Sequence, residues 1–336
     1  MPGVLVTNAD EPLGQRLVKT LFHDSGIGTL LAVGNGPSPR SFDRFLADSG
    51  ERVEYVRVDL ARSRSVSELF RSHQLRQAAI DTVVHVPRHA VVGKEVPVAG
   101  GLAVRTAEAR LILQHSLALD SIRHLVALGS AFAYRLEPGN ANRVRETSEL
   151  DLASDTPVEL RSWIDCDMLF HAEINNPRMR VVLLRVPTVV ASEGAVYLNP
   201  ALSGPPGLRI RPLGFDPLCA VITDKDVAKA LQAAVKAEVA GIFNLAATEL
   251  PLSTLTRWTG GRSVALPGVL LRGIASFARW IGSNEALRTA DGAHLRYGLS
   301  LDTSRAERDL GFRATYRIAL ARGGDGTMRL EAVPFR

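Results

Sequence analysis

The stretch 4-VLVTNADEPLGQRLVKTLF-22 decides how this chain is read. Val4, Leu5 and Val6 make a short apolar run, and Asn8 to Asp10 supply turn-forming residues directly after it. From Gly14 onward, Leu17, Val18, Leu21 and Phe22 recur at helical spacing. A strand, a tight loop and a helix in immediate succession are the opening of a strand-helix-strand unit.

The same rhythm continues to about residue 184. Strands are predicted at 4–7, 29–33, 53–58, 82–86, 124–129 and 180–186, with helices at 14–23, 65–76, 100–119 and 161–174. Most of these strands are apolar almost throughout, as strands covered by helices on both faces must be. The expected fold is α/β, a Rossmann-type doubly wound parallel sheet over residues 1–186, with ligands belonging at the carboxyl ends of its strands. After Pro187 the Gly/Pro-rich segment 199-NPALSGPPGLRIRPLGFDP-217 breaks the pattern, and a helix at 224–237 and a strand 241-GIFNLA-246 follow. Residues 187–322 are therefore expected to form a smaller C-terminal lobe folded onto the sheet, and 323–336 a loose tail.

Composition narrows the function. With 336 residues, 46% of them hydrophobic and 22% charged, the chain can bury a substantial core. The net charge is +5, and 35 of the 40 basic residues are arginines scattered without a dense cluster, a pattern that does not point to nucleic acid. Cys166 and Cys219 are too few for a disulfide framework or a zinc set, so no metal site is expected and a reducing compartment fits. No signal-peptide pattern and no apolar run of about 18 residues is present, and the expected location is cytoplasmic.

Six landmarks in order carry a family resemblance: the opening strand and loop, 53-VEYVRVDL-60, 80-IDTVVHVPRHA-90, 124-HLVALGSAFAY-134, 221-VITDKDVAKAL-231 and 301-LDTSRAERDLGF-312. Over nearly its whole length the chain resembles the extended short-chain dehydrogenases/reductases of the NAD-dependent epimerase/dehydratase group. The resemblance implies a nucleotide site at Asn8, Glu11, Leu13 and Gly14, where the family carries three glycines, and at Asp59 and Leu60 near adenine. Asn8 can adopt the left-handed turn conformation. Glu11 and Asp10, however, put carboxylates where pyrophosphate would collect backbone N–H groups. Unit charges about 4 Å apart repel by roughly 4 kcal/mol at an effective dielectric of about 20. Glu11 is accordingly read as capping an empty site. After strand 29–33, Gly34, Asn35 and Gly36 stand where an acidic residue would accept the ribose hydroxyl of NAD. Any cofactor held is expected to be NAD or NADP.

The family's catalytic tyrosine and lysine are four residues apart on a helix. Here 162-SWIDCDMLFHAE-173 puts Trp163 and Asp167 at those positions, and none of the five tyrosines has a lysine four residues on. An indole cannot exchange the proton, and an aspartate inverts the charge. Ser130 survives at the family's serine position, with Tyr134 four residues later. The candidate catalytic set is thus Ser130, Trp163 and Asp167, expected to face the cleft together. Asp167 and His171, one helical turn apart, could pair into a hydrolytic set with Ser130, although no nucleophile-elbow motif supports that reading.

A final amphipathic stretch, Val264 to Gly282, is expected to be a helix packing on the core; a lipid interface is its alternative reading. The leading expectation is a divergent family member, a pseudoenzyme without standard hydride transfer that acts in binding, regulation or assembly. The alternative is an NAD(P)-dependent epimerase, dehydratase or oxidoreductase with a non-standard acid-base set for a sugar nucleotide or hydrophobic substrate. The resemblance also implies a homodimer through a helix pair that includes 161–174.

Overall fold

The computed structural model describes residues 1–88, 98–137, 142–154, 158–191, 208–258, 262–271, 293–322 and 328–335, with a few isolated positions between them. Its first part runs β1 (Gly3–Val6), α1 (Pro12–Phe22), β2 (Leu30–Gly34), α2 (Arg40–Ser49), β3 (Val53–Arg57), α3 (Ser63–Arg71), α4 (His73–Gln77), β4 (Ile80–His85), α5 (Val98–Ala118), β5 (His124–Ser130), α6 (Val158–His171) and β6 (Arg180–Val186). There follow β7 (Thr188–Val190), β8 (Val196–Tyr197), β9 (Leu208–Pro212), β10 (Leu218–Thr223), α7 (Asp224–Lys236), β11 (Gly241–Asn244), β12 (Thr248–Pro251), α8 (Leu252–Trp258) and β13 (Arg262–Leu266). The last elements are α9 (Ala293–Tyr297), α10 (Ser304–Asp309), β14 (Tyr316–Arg322) and β15 (Met328–Pro334).

Seven strands make one sheet in the order β3-β2-β1-β4-β5-β6-β11, every pair parallel. The order reverses between β1 and β4, so a crevice is expected above their carboxyl ends. Both faces are apolar because both are covered. Val4, Val6, Leu30, Val126 and Leu184 pack under Leu17, Val18 and Leu21 of α1 and Leu231 of α7. Leu5, Leu31, Val83, Leu125 and Leu183 pack on the other side with Phe70 of α3, Ile112 of α5 and Phe170 of α6.

Several features differ from the expected elements. The helix over 40–49 is additional; Phe42 is fully buried, and Phe45 and Leu46 pack beside it on the same face. The helix expected at 65–76 breaks at Ser72, whose hydroxyl accepts the N–H of Leu75 at 3.2 Å and starts α4. The strand at 241–244, expected in the lobe, pairs with β6 and completes the main sheet, so that sheet draws on chain beyond residue 186. Instead of a loose tail, residues 328–334 pair with 316–322 as an antiparallel hairpin. Asp226 ties that hairpin to α7 by accepting the N–H groups of Thr315 and Tyr316 at 2.9 and 3.0 Å.

The smaller lobe contains a four-stranded sheet, β12-β10-β7-β8, and the parallel pair β13-β9. Val264 to Leu266 belong to strand β13, not to the helix expected over 264–282; a helical turn covers 268–271, and most of the remainder lies outside the described residues.

Candidate functional site at the sheet crevice

The first turn follows the expected path. Asn8 takes φ 50°, the left-handed conformation, which asparagine tolerates better than most residues with a Cβ. It is fully buried, and its Nδ2 donates to Val86 O at 2.9 Å and to Glu108 Oε2 at 3.1 Å. Gly14 lets α1 lie against this turn. A Cβ there would sit 2.3 Å from Asn8 O and 2.8 Å from Ala9 Cα, both backbone atoms that cannot swing aside. We expect Gly14→Ala to cost about 2 kcal/mol or more of stability through overpacking, read from the urea midpoint; an unchanged midpoint would show that the helix can retreat freely.

Two of the loop's backbone N–H groups are already engaged. Ala9 N–H bonds to Val33 O and Glu11 N–H to Asn8 O, at 2.9 and 3.0 Å. Pro12 at the first helical position has no N–H to offer. Glu11 sits at the N-cap, yet its carboxylate accepts no capping hydrogen bond, which corrects the expected capping role; it lies 4.0 Å from the Arg88 guanidinium instead. Arg88 also lies 3.2 Å from Glu108 and 3.8 Å from Asp10. One guanidinium therefore bridges three carboxylates. Burial pushes the Glu108 carboxyl up from its ordinary value, and Arg88 and Asn8 oppose that shift.

Asp10 reaches across to the end of β2, where it accepts the Gly36 N–H at 2.9 Å. Gly34 permits this, since a Cβ there would lie 2.7 Å from Asp10 Oδ1 and 2.4 Å from the Tyr55 hydroxyl. Tyr55 donates to Gly36 O at 2.7 Å, and its phenol is pushed up to about 12 by burial and by Asp10. Asp59 is spent on its own turn, accepting the Ala61 N–H at 3.1 Å and pairing with Arg62 at 3.1 Å. Leu13 and Leu60 are buried core residues.

This donor set does not fit a dinucleotide. A pyrophosphate needs backbone donors and close approach, whereas the loop offers side chains at 8 and 11, N–H groups at 9 and 11 that are already bonded, a proline at 12 and an excess of acceptors. The buried Asn8 Oδ1, which has no hydrogen-bond partner, is itself an acceptor.

At the second candidate set, Asp167 is fully buried and makes a bidentate pair with Arg185 of β6, both contacts being 2.7 Å. Its Oδ2 would stand 3.5 Å from a Cβ built on Gly129, the residue before Ser130. Burial alone would lower the Arg185 guanidinium, but the hydrogen bonds of Asp167 and the proximity of Tyr134 hold it above its ordinary value. The Arg185 guanidinium lies over the Tyr134 ring at 4.6 Å. Tyr134 donates to Asn244 Oδ1 at 2.7 Å, and burial pushes its phenol up to about 12. A catalytic phenol requires the opposite shift. Trp163 is buried, with the Arg105 guanidinium 4.2 Å from its ring.

Ser130 is buried and its Oγ accepts the Phe132 N–H at 3.2 Å, starting the 3-10 turn Ala131–Ala133. The expected common cleft face is thus a sealed layer: Ser130, Trp163 and Asp167 are each at most 3% exposed. The hydrolytic set fails as well, because Arg185 takes both Asp167 oxygens while His171 is exposed in the last turn of α6. Burial also pushes the Cys166 thiol up to about 12. Among the described residues no group of three potential metal ligands converges.

No family model matches the chain, and no curated protein matches it by sequence. Solved structures do. Pal from Bacillus thuringiensis superposes with a TM-score of 0.66 at 14% identity, covering 93% of each chain. The UDP-glucose 4-epimerase from Bifidobacterium longum, in complex with NAD+ and UDP, gives 0.63 at 16%, also with 93% of each chain covered. The dTDP-glucose 4,6-dehydratase from Bacillus anthracis, in complex with NAD, gives 0.61 at 13%, covering 94% of this chain and 92% of that one. Likeness along whole chains at such low identity speaks for architecture, and this chain has the fold of the NAD-dependent epimerases and dehydratases within the short-chain dehydrogenases/reductases.

Proposed function

We propose that this chain is a non-catalytic relative of those enzymes, serving in binding, regulation or assembly, with its nucleotide loop closed by its own side chains. The observation that carries this reading is Arg88 held among Asp10, Glu11 and Glu108 directly over the turn at Asn8. A pyrophosphate entering there would displace a guanidinium from three carboxylates and then face them. The buried Trp163 and Asp167 support the same reading, since at the positions assigned to tyrosine and lysine they place an indole against Arg105 and a carboxylate whose two oxygens are both taken by Arg185.

Calorimetric titration with NAD+, NADH, NADP+ and NADPH tests it. The expected result is no dissociation constant below about 10 μM, equivalent to a binding free energy of roughly −7 kcal/mol; tighter binding would refute the reading. Asn8→Gly combined with Glu11→Gly should recover less than about tenfold in affinity, because Asp10, Pro12 and Glu108 remain. Incubation with sugar nucleotides and nicotinamide cofactor, followed by product mass, should show no turnover. Turnover that vanishes in Ser130→Ala would establish an active enzyme instead.

A further inference from the structure

We propose that the closed crevice at the Asn8 turn is a seat for an organic cation bearing a guanidinium group, with Arg88 as its resident occupant. The inference rests on the non-catalytic reading above and names what such a site would take. The carboxylates of Asp10, Glu11 and Glu108 surround the Arg88 guanidinium, yet only Glu108 lies within hydrogen-bond distance, at 3.2 Å. Glu11 at 4.0 Å and Asp10 at 3.8 Å balance its charge without accepting its N–H groups. Arg88 Nη2 is buried and has no hydrogen-bond partner, and neither have the buried acceptors Asn8 Oδ1 and Asp10 Oδ1. Asn8 is fully buried and bonds Glu108 through Nδ2, so its unpartnered oxygen belongs to the same cluster. A donor and two acceptors thus stand unsatisfied within one cluster, because an arginine tethered at position 88 meets the charges without matching the hydrogen-bond geometry.

The chemistry of the cluster selects the ligand. An anion would face three carboxylates. A metal ion needs oxygens converging on one point, and among the described residues no group of three potential ligands does so. Here the carboxylates are spread around a planar fork instead, with Glu108 at Nε, Glu11 at Nη1 and Asp10 at Nη2. A planar cation with several N–H donors matches that spread. Arg105, which also approaches Arg88, is directed to Ser162 Oγ at 2.5 Å and to the Arg88 carbonyl at 3.4 Å, so the three carboxylates still outnumber the two guanidinium groups. The Arg88 side chain is 30% exposed and can swing into solvent, which opens the seat to a free cation.

The test is calorimetric titration of the full chain with agmatine, using tetramethylammonium as a cation without N–H donors and urea as a planar donor without charge. The expected dissociation constant for agmatine is below about 1 mM, with neither control bound. Arg88→Ala should tighten it at least about tenfold, because the seat is then vacant in every molecule. Glu11→Gln or Glu108→Gln, each added to Arg88→Ala, should weaken it again at least about threefold. Glu11 is partly exposed and makes no capping hydrogen bond, so its variant should keep the fold, which circular dichroism checks. Absence of binding by the unaltered chain overturns the proposal even where Arg88→Ala binds, since the site would then be a product of the missing side chain. Tetramethylammonium held as tightly as agmatine, or an affinity indifferent to both carboxylate changes, overturns it too. NAD+ titrated in the same series separates the two readings. If neither agmatine nor NAD+ binds, this inference falls and the non-catalytic reading stands, whereas NAD+ held below about 10 μM refutes the non-catalytic reading itself.

Discussion

Asp167→Ala is expected to destabilise the native chain by about 3–5 kcal/mol, the usual cost of stranding a buried charge. The guanidinium of Arg185 is 1% exposed and, among the described residues, would keep the Glu146 carbonyl at 3.3 Å and the Tyr134 side chain, which carry no compensating charge. Deprotonation offers no escape, because an arginine stays charged under any condition in which the fold survives. The pair joins α6 to β6 beneath Gly129, so its loss should loosen the layer that carries Ser130 as well. Replacing both partners, as in Asp167→Leu with Arg185→Met, should cost less than either single change, since no charge is then left unpaired. Urea unfolding followed by circular dichroism measures all of these. A loss below about 1 kcal/mol for Asp167→Ala would mean that Arg185 finds another anion or water.

How much of this was legible before folding varied with the distance over which each residue acts. The strands and most helices were readable because a hydrophobic period is a local property, and α2 could have been read from Phe42, Phe45 and Leu46 by the same rule. The left-handed turn at Asn8 was legible from the residue type, and Gly14 from the close helix approach that such loops require. Asp10 was recognised as an obstacle, but not its reach to Gly36, which depends on how two loops meet above the sheet. Arg88 and Glu108 are separated from the first loop by most of two structural units, and no spacing rule links them. Arg185 did leave a signal: a charged residue inside the apolar run 180-RVVLLRV-186 demands a buried partner, and Asp167 on the preceding helix is a carboxylate flanked by apolar residues. The burial of Ser130, Trp163 and Asp167 could not be read from their positions alone. It follows from how α6 seats on β5 and β6.

Acid should expose a second weakness, centred on two buried histidines. His85 and His124 are 1% and 3% exposed, and burial pushes both imidazoles down to about 4 from 6.5, with Arg180 adding to the effect at His124. His85 Nδ1 is 3.0 Å from the Thr7 hydroxyl directly beneath the Asn8 turn, and its Nε2 has no hydrogen-bond partner. Well above pH 6.5 both rings are neutral in the folded and unfolded chain and contribute no slope. As pH falls below 6.5 the unfolded chain takes up protons that the folded chain refuses, so stability declines until about pH 4. The full decline is on the order of 3 kcal/mol per histidine.

Other groups allow the histidines to be separated from general acid unfolding. The Asp24 and Asp302 carboxyls are held below their ordinary 3.8, chiefly by hydrogen bonds from Gly26 and Ser304, so their contribution is lost only at lower pH. Glu108 acts in the opposite sense: its raised carboxyl favours proton uptake in the folded state, and acid relieves its burial. His85→Asn combined with His124→Asn should therefore flatten or reverse the dependence of stability on pH between 6.5 and 4, whatever it does to stability at pH 7. Urea midpoints collected across that range provide the slope. A double variant with the same slope as the parent would place the acid sensitivity elsewhere. A flattened slope would assign the acid sensitivity to the two buried imidazoles, and the single variants would then apportion it between His85, which contacts Thr7 beneath the Asn8 turn, and His124 at the start of β5.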